Sequence, residues 1–262
     1  MELDTSSGNR NIASSIRQIH CDVVSSTNSE ALARAHAGDP GPLWITARAQ
    51  THGRGRRGRT WTSPPGNLYA TLLLRDPAPA AAAPQLSFVA ALAVHDAVRA
   101  AAGRHLVSLV LKWPNDLLCN NGKLAGILIE GEGRPLAVAV GIGVNCRHHP
   151  ADTAYPATDL RAAGVEIGPE QLLDLLSPAM LRRLAQWDRG RGFAAIRADW
   201  LARAHPPGTE LRLTLAEREI IGLFETLDDA GRLILRRRDG TTEAIMAGDV
   251  FLTSQSVPAA VR

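Results

Sequence analysis

Seven consecutive residues, Gly53-Arg54-Gly55-Arg56-Arg57-Gly58-Arg59, set four guanidinium groups among three glycines. Guanidinium forks grip phosphate and carboxylate oxygens in pairs, and glycines let a backbone close around them. The glycines also fit G-x-G-x-x-G, the dinucleotide fingerprint, which needs a helix opening at the third glycine. Here the chain continues Thr60-Trp61-Thr62-Ser63-Pro64-Pro65-Gly66, which cannot start a helix, so that reading fails. An RNA-binding Arg/Gly tract is a second reading, but such tracts are long and disordered, and this one is confined between two strands. A solvated surface loop and a mobile anion-binding loop remain, the latter with Arg54 and Arg56 as its ligands.

A second cluster, Lys112-Trp113-Pro114-Asn115-Asp116, is followed closely by Lys123. The chain has 29 basic residues, and only Lys112 and Lys123 are lysines; the other 27 are arginines. Under such a bias, a surviving lysine marks a place where a compact ammonium cannot give way to a planar guanidinium. A strand delivers Lys112 to its end and Pro114 stops it. Asn115 and Asp116 then offer an amide oxygen and a carboxylate, hard ligands suited to Mg²⁺. The turn Asn120-Asn121-Gly122 hands Lys123 to the next apolar strand. A β-hairpin whose charges merely face solvent is the plain alternative. Two lysines, two oxygen ligands and an arginine loop in one chain favour nucleotide chemistry.

These residues need a frame. Leu43–Gln50 alternates as a strand, Leu68–Arg75 reads as a strand buried on both faces, and Val107–Trp113, Ala125–Glu130 and Leu136–Asn145 are further strands. Ser25-Ser26-Thr27-Asn28 offers cap residues to a short helix through Ala35. Helical patterns also occupy Pro84–Ala102, Pro169–Asp188 and Phe193–Ala204. At His205-Pro206-Pro207-Gly208 the pattern changes to short strands between turns, a small antiparallel barrel. The expected organisation is a loose segment over 1–20, a catalytic domain over 21–205 and a C-terminal domain over 206–262.

Composition narrows the class. With 45% apolar and 21% charged residues the chain is an ordinary folding sequence, and its net charge of +3 is a weak field for nucleic acid. The first residues carry acids and no apolar core of a signal peptide, and the longest apolar stretch, Leu136 to Cys146, is too short to span a bilayer. Three scattered cysteines exclude a disulfide framework and suit a reducing cytoplasm.

Ser26-Thr27-Asn28, the stretch Gln50 to Trp61, the block Lys112 to Asp116, the segment Lys123-Leu124-Ala125-Gly126-Ile127-Leu128-Ile129-Glu130 and Gly141-Ile142-Gly143-Val144-Asn145 together resemble bacterial biotin protein ligases. The resemblance covers about residues 20–255. It implies an α+β fold, with a mixed β-sheet catalytic domain, flanking helices and a small C-terminal SH3-like barrel. It implies ATP, Mg²⁺ and biotin, with formation of biotinyl-5′-AMP and transfer of biotin to a lysine of the biotin carboxyl carrier domain of acetyl-CoA carboxylase. Lys123, Arg56 and Asp116 carry over as catalytic residues, with Asp116 also as the metal ligand and as a candidate to orient or accept the proton of the acceptor lysine. Ser26, Thr27, Asn28 and Gln50 carry over to biotin's ureido group, and Gly126, Ile127 and Leu128 to its ring and chain. Arg54, Gly55, Trp61, Lys112, Asn115 and Asn145 complete the set that touches biotin or the adenylate.

Little chain precedes Ser26, so the resemblance is to the stand-alone class, without a DNA-binding domain; a homodimer is compatible with it. Thr51-His52 departs from the pair that commonly follows the glutamine. A lipoate- or octanoate-type ligase on a related fold is the alternative, to be separated by competition between biotin and lipoate. An Arg-rich nucleic-acid module would instead show steep salt dependence.

Overall fold

The computed structural model describes residues 16–252, apart from 106, 152, 154, 216 and 217. Seven strands form one mixed sheet: β1 (Arg17–Val24), β2 (Leu43–Gln50), β3 (Leu68–Arg75), β4 (Leu109–Lys112), β5 (Asp116–Cys119), β6 (Gly122–Glu132) and β7 (Ala137–Val144). Their spatial order is β1-β2-β3-β7-β6-β5-β4. Only β1 and β2 run parallel; the remaining neighbours are antiparallel.

Alternation along β7 explains how the sheet makes both a core and a site. Val138, Val140 and Ile142 point into the main core, under α2 (Leu86–Ala102), α3 (Pro169–Trp187) and α4 (Phe193–Leu201). The intervening positions are Ala137, Ala139, Gly141 and Gly143. Near one end of the strand the small alanines accept α1 (Thr27–His36), whose Ala31 and Ala35 pack with Leu43, Ile45 and Leu73. Towards the other end the glycines leave that face open. A strand has period two, so this one carries large residues on one face and almost none on the other.

α2 is buried at most of its positions. By length and composition alone, the helical stretch Ala80–Ala102 could cross a membrane. It instead lies between the sheet and the other helices, where Phe88 packs edge-on against Phe193 and Trp200.

Five short strands make the second sheet: β8 (Glu210–Thr214), β9 (Glu219–Leu227), β10 (Leu233–Arg236), β11 (Thr242–Ile245) and β12 (Asp249–Leu252), ordered β11-β10-β9-β8-β12. Its apolar face, with Leu211, Leu213 and Phe224, joins the same core as the main sheet. The contact is also polar, since the Trp113 indole N–H donates to the Gly231 carbonyl at 3.1 Å.

Three expectations need correction. The loose segment cannot extend to residue 20, because β1 begins at Arg17 and Ile16 is buried; residues 1–15 lie outside the described residues. β1 carries little signal, since only Ile19 to Val23 alternates apolar with polar residues on this edge strand. Asp116, expected in a turn with Asn115, instead opens β5, where it pairs with Lys112 at the end of β4, and β5 lies beside β6, which carries Lys123. Ser26 stands at the N-cap of α1 but makes no side-chain capping bond.

Candidate active site

The open face of β7 and its neighbours forms a cavity of about 320 Å³, within the ~300–1,000 Å³ usual for small-molecule sites. It has a polar end, an aromatic floor and a cationic end.

At the polar end, Gln50 Oε1 accepts from both the Thr27 backbone N–H, at 2.9 Å, and the Thr27 hydroxyl, at 3.2 Å. Its amide nitrogen donates to Ser63 Oγ at 3.0 Å. Asn28 Nδ2 donates to Glu130 at 2.8 Å and Asn28 Oδ1 accepts from Thr71 at 2.7 Å. Gly141 is required here, because a β-carbon would overlap the Asn28 amide. Buried polar groups that are fully paired hold one geometry. Thr27, Asn28 and Gln50 therefore form a preset template at the cavity wall, with Ser26 beside them.

The floor is Trp61. Its ring lies across Gly126 and Gly143, and a β-carbon at Gly143 would come within 2.6 Å of it. Its buried indole N–H meets no acceptor among the described residues. Gly143→Ala is expected to tilt the ring and weaken biotin binding about tenfold, a cost of the order of overpacking, about 1–3 kcal/mol. Titration followed by Trp fluorescence would check it; parental affinity would mean that the ring does not shape the pocket.

At the cationic end Asp116 lies between both lysines, with Oδ1 2.7 Å from Lys123 Nζ and Oδ2 3.2 Å from Lys112 Nζ. Lys112 is buried, donates to the Val250 carbonyl at 3.0 Å and sits 4.0 Å from the Tyr155 ring centroid. Burial pushes its pKa down, and Asp116 opposes the shift. Burial would raise the Asp116 pKa, but Lys123 and Lys112 outweigh it and hold the carboxyl below the usual range. Lys123 faces the cavity, 5.5 Å from the Trp61 ring centroid. Asn115 is pinned by a bond to the Ile127 carbonyl at 2.7 Å, and Asn145 ties the Lys123 and Thr158 carbonyls together.

The expected metal ligation does not fit Asp116. Each of its oxygens is already against an ammonium group, and Arg56 reaches the adjacent Asn115 at 3.5 Å. With each oxygen against an ammonium group, Asp116 is placed to orient Lys123.

The arginine loop is divided. Arg54 pairs with Glu130 at 3.1 Å, and Arg57 and Arg59 pair with Asp249. Arg56, half-buried at the cavity wall, makes a long side-chain contact to Asn115, and desolvation lowers its pKa. Of the expected residues, Lys112 and Asp116 stand behind the cavity; Ser26, Thr27, Asn28, Gln50, Arg54, Gly55, Arg56, Trp61, Asn115, Lys123, Gly126 and Asn145 line it. Thr71, Tyr155, Glu130 and Asp249 were not foreseen. Tyr155 lines the cavity, donates to the Val250 carbonyl at 2.7 Å and stacks on Phe251 at 4.4 Å.

Fold and cavity together define a small-molecule site on a mixed sheet, closed by an arginine loop and backed by a barrel. A family model for the biotin/lipoate A/B protein ligase family matches residues 21–146, and one for the biotin protein ligase C-terminal domain matches residues 208–253. The chain is 48% identical to the biotin–[acetyl-CoA-carboxylase] ligase of Paracoccus denitrificans, over 86% of this chain and 96% of that one. It is 33% identical to the bifunctional ligase/repressor BirA of Bacillus subtilis, over 89% of this chain and 73% of that one. The biotin protein ligase of Aquifex aeolicus in complex with biotin and ATP matches with a TM-score of 0.76 at 26% identity, covering 90% of this chain and 98% of that one. That of Leishmania major in complex with biotinyl-5-AMP matches at 0.61 and 27%, covering 88% and 99%. The chain belongs to the biotin protein ligase family.

Proposed function

We propose that this protein forms biotinyl-5′-AMP from biotin and ATP and transfers biotin to a lysine of the biotin carboxyl carrier domain of acetyl-CoA carboxylase. One observation carries the reading: sequence blocks that are far apart in the chain converge on one cavity, with a polar template at one end and Lys123 with Arg56 at the other.

The biotin carboxylate attacks the α-phosphate, a new C–O–P linkage forms and pyrophosphate leaves. Both reactants are anions, so positive charge fixed in place before reaction is what lowers the barrier. Lys123, oriented at the cavity by Asp116, and Arg56 supply it; Arg54 turns to Glu130, and Arg57 and Arg59 turn to Asp249. Asp116 acts through Lys123, holding the ammonium at the cavity rather than handling a proton itself. In the second step the acceptor amine attacks the carbonyl, the amide forms and AMP leaves. Water would consume the mixed anhydride, and a loop over it limits that loss. Dependence on ATP and on a carboxylase acceptor supports a cytoplasmic location.

Biotin should stimulate exchange of labelled pyrophosphate into ATP with no acceptor present, and lipoate should not. Exchange that requires the acceptor would sink the two-step mechanism, and exchange driven by lipoate would move the substrate class.

A further inference from the structure

The arginine loop is not held by the catalytic sheet alone. Arg59 donates to Asp249 at 2.7 Å, Arg57 reaches the same carboxylate at 3.4 Å, and Arg57 also donates to the Thr214 carbonyl at 3.3 Å. Asp249 opens β12 and Thr214 ends β8, so both anchors belong to the second sheet. The Asp249 side chain is four-fifths buried beneath these guanidiniums. The backbone between them is strained: Arg57 has φ 57° and ψ 33°, a left-handed conformation that a non-glycine residue holds only where its surroundings impose it. That turn separates neighbouring side chains. Arg57 goes out to the barrel, and Arg56 goes in to the cavity wall beside Asn115.

We propose that Asp249 is a positioning residue for adenylate formation and retention, acting through Arg57 and Arg59 to fix the turn that aims Arg56 into the cavity. This rests on the ligase reading for its kinetic consequence, but not for its structural one. The carboxylate supplies what imposes the strained turn, and it does so from a different sheet, 190 residues further along the chain. The barrel is thereby part of the closed site, and its seating on the main sheet, through the Lys112–Val250 and Tyr155–Val250 bonds, is read by the loop.

The test uses the full chain with Asp249→Asn and Asp249→Glu. Trypsin needs an opened backbone, so its cutting rate within the loop reports loop release without reference to biotin. Asp249→Asn should raise that rate roughly tenfold, the effect of losing contacts worth about one power of ten in a local opening equilibrium, and Asp249→Glu should restore it. Asp249→Asn should also release more free biotinyl-AMP and raise KM for ATP, with the thermal midpoint little changed. Parental cutting by a folded Asp249→Asn protein would overturn the proposal. Faster cutting with unchanged retention and KM would overturn the positioning role. Should Asp249→Asn fail to fold, Arg57→Gln, which leaves the barrel intact, decides by the same cutting at the remaining loop arginines. Absence of biotin-stimulated exchange in the parent would instead fault the ligase reading, and the trypsin result would stand.

Discussion

Adenylate formation by Lys123→Arg is expected to run about 10²-fold or more below the parent, about 2.7 kcal/mol of lost transition-state stabilisation. The charge is kept, so the loss is one of shape. The Lys123 ammonium fits between Asp116 Oδ1, 2.7 Å away, and the cavity, with the Trp61 ring beside it. A guanidinium is longer and planar, and it must either leave Asp116 or enter the space of a reactant. Biotin affinity should fall much less, because the polar template and the Trp61 floor are untouched. Single-turnover measurement of biotinyl-AMP beside the parent checks this. Near-parental rates would leave Arg56 as the cation that matters.

Asp116→Asn is expected to cost about 3–5 kcal/mol of stability, the range for breaking a buried ion pair from one side. It leaves Lys112 buried without its contacting carboxylate, held by the Val250 carbonyl and the Tyr155 ring, with Asp249 the remaining acid that acts on it. The pH dependence has a definite sign. The folded-state pKa of Asp116 is depressed, so the stabilisation is present above the unfolded value, about 3.9, and is lost as pH falls through the folded value. The parent should therefore lose its advantage over Asp116→Asn below about pH 4. Urea unfolding of both proteins between neutral and acid pH measures it. A stability gap that stays constant across that range would mean that the carboxylate charge contributes nothing.

Much of this site is local in sequence and so could be read there. The large/small alternation of β7, the arginine–glycine loop and the two lysines each lie within one element, where spacing alone places side chains on a face. Tyr155 and Asp249 lie in stretches with no period, and they matter only because the barrel packs against the end of β4. β1 is hard to read for a different reason: it is an edge strand with no buried side chain, and only Ile19 to Val23 alternates apolar with polar residues behind a polar terminus. Asp116 is expected from its residue type to hold a metal or take a proton, and the structure sets it between two ammonium groups. Its residue type fits a metal or two ammonium groups equally well, and only the β4–β5–β6 register shows which neighbours it has.

The scarcity of lysine has a chemical consequence of its own. An acyl-adenylate acylates any unprotonated amine it meets, including those of the protein that made it. Here every side-chain amine is Lys112 or Lys123, and both are engaged by Asp116 at the base of the cavity. The other 27 basic side chains are guanidiniums, which stay protonated and do not acylate under such conditions. A catalyst built this way offers almost no side-chain amine of its own to the intermediate. Intermediate that escapes the loop meets water or a foreign lysine, and the enzyme itself is spared the slow self-labelling that would blunt it.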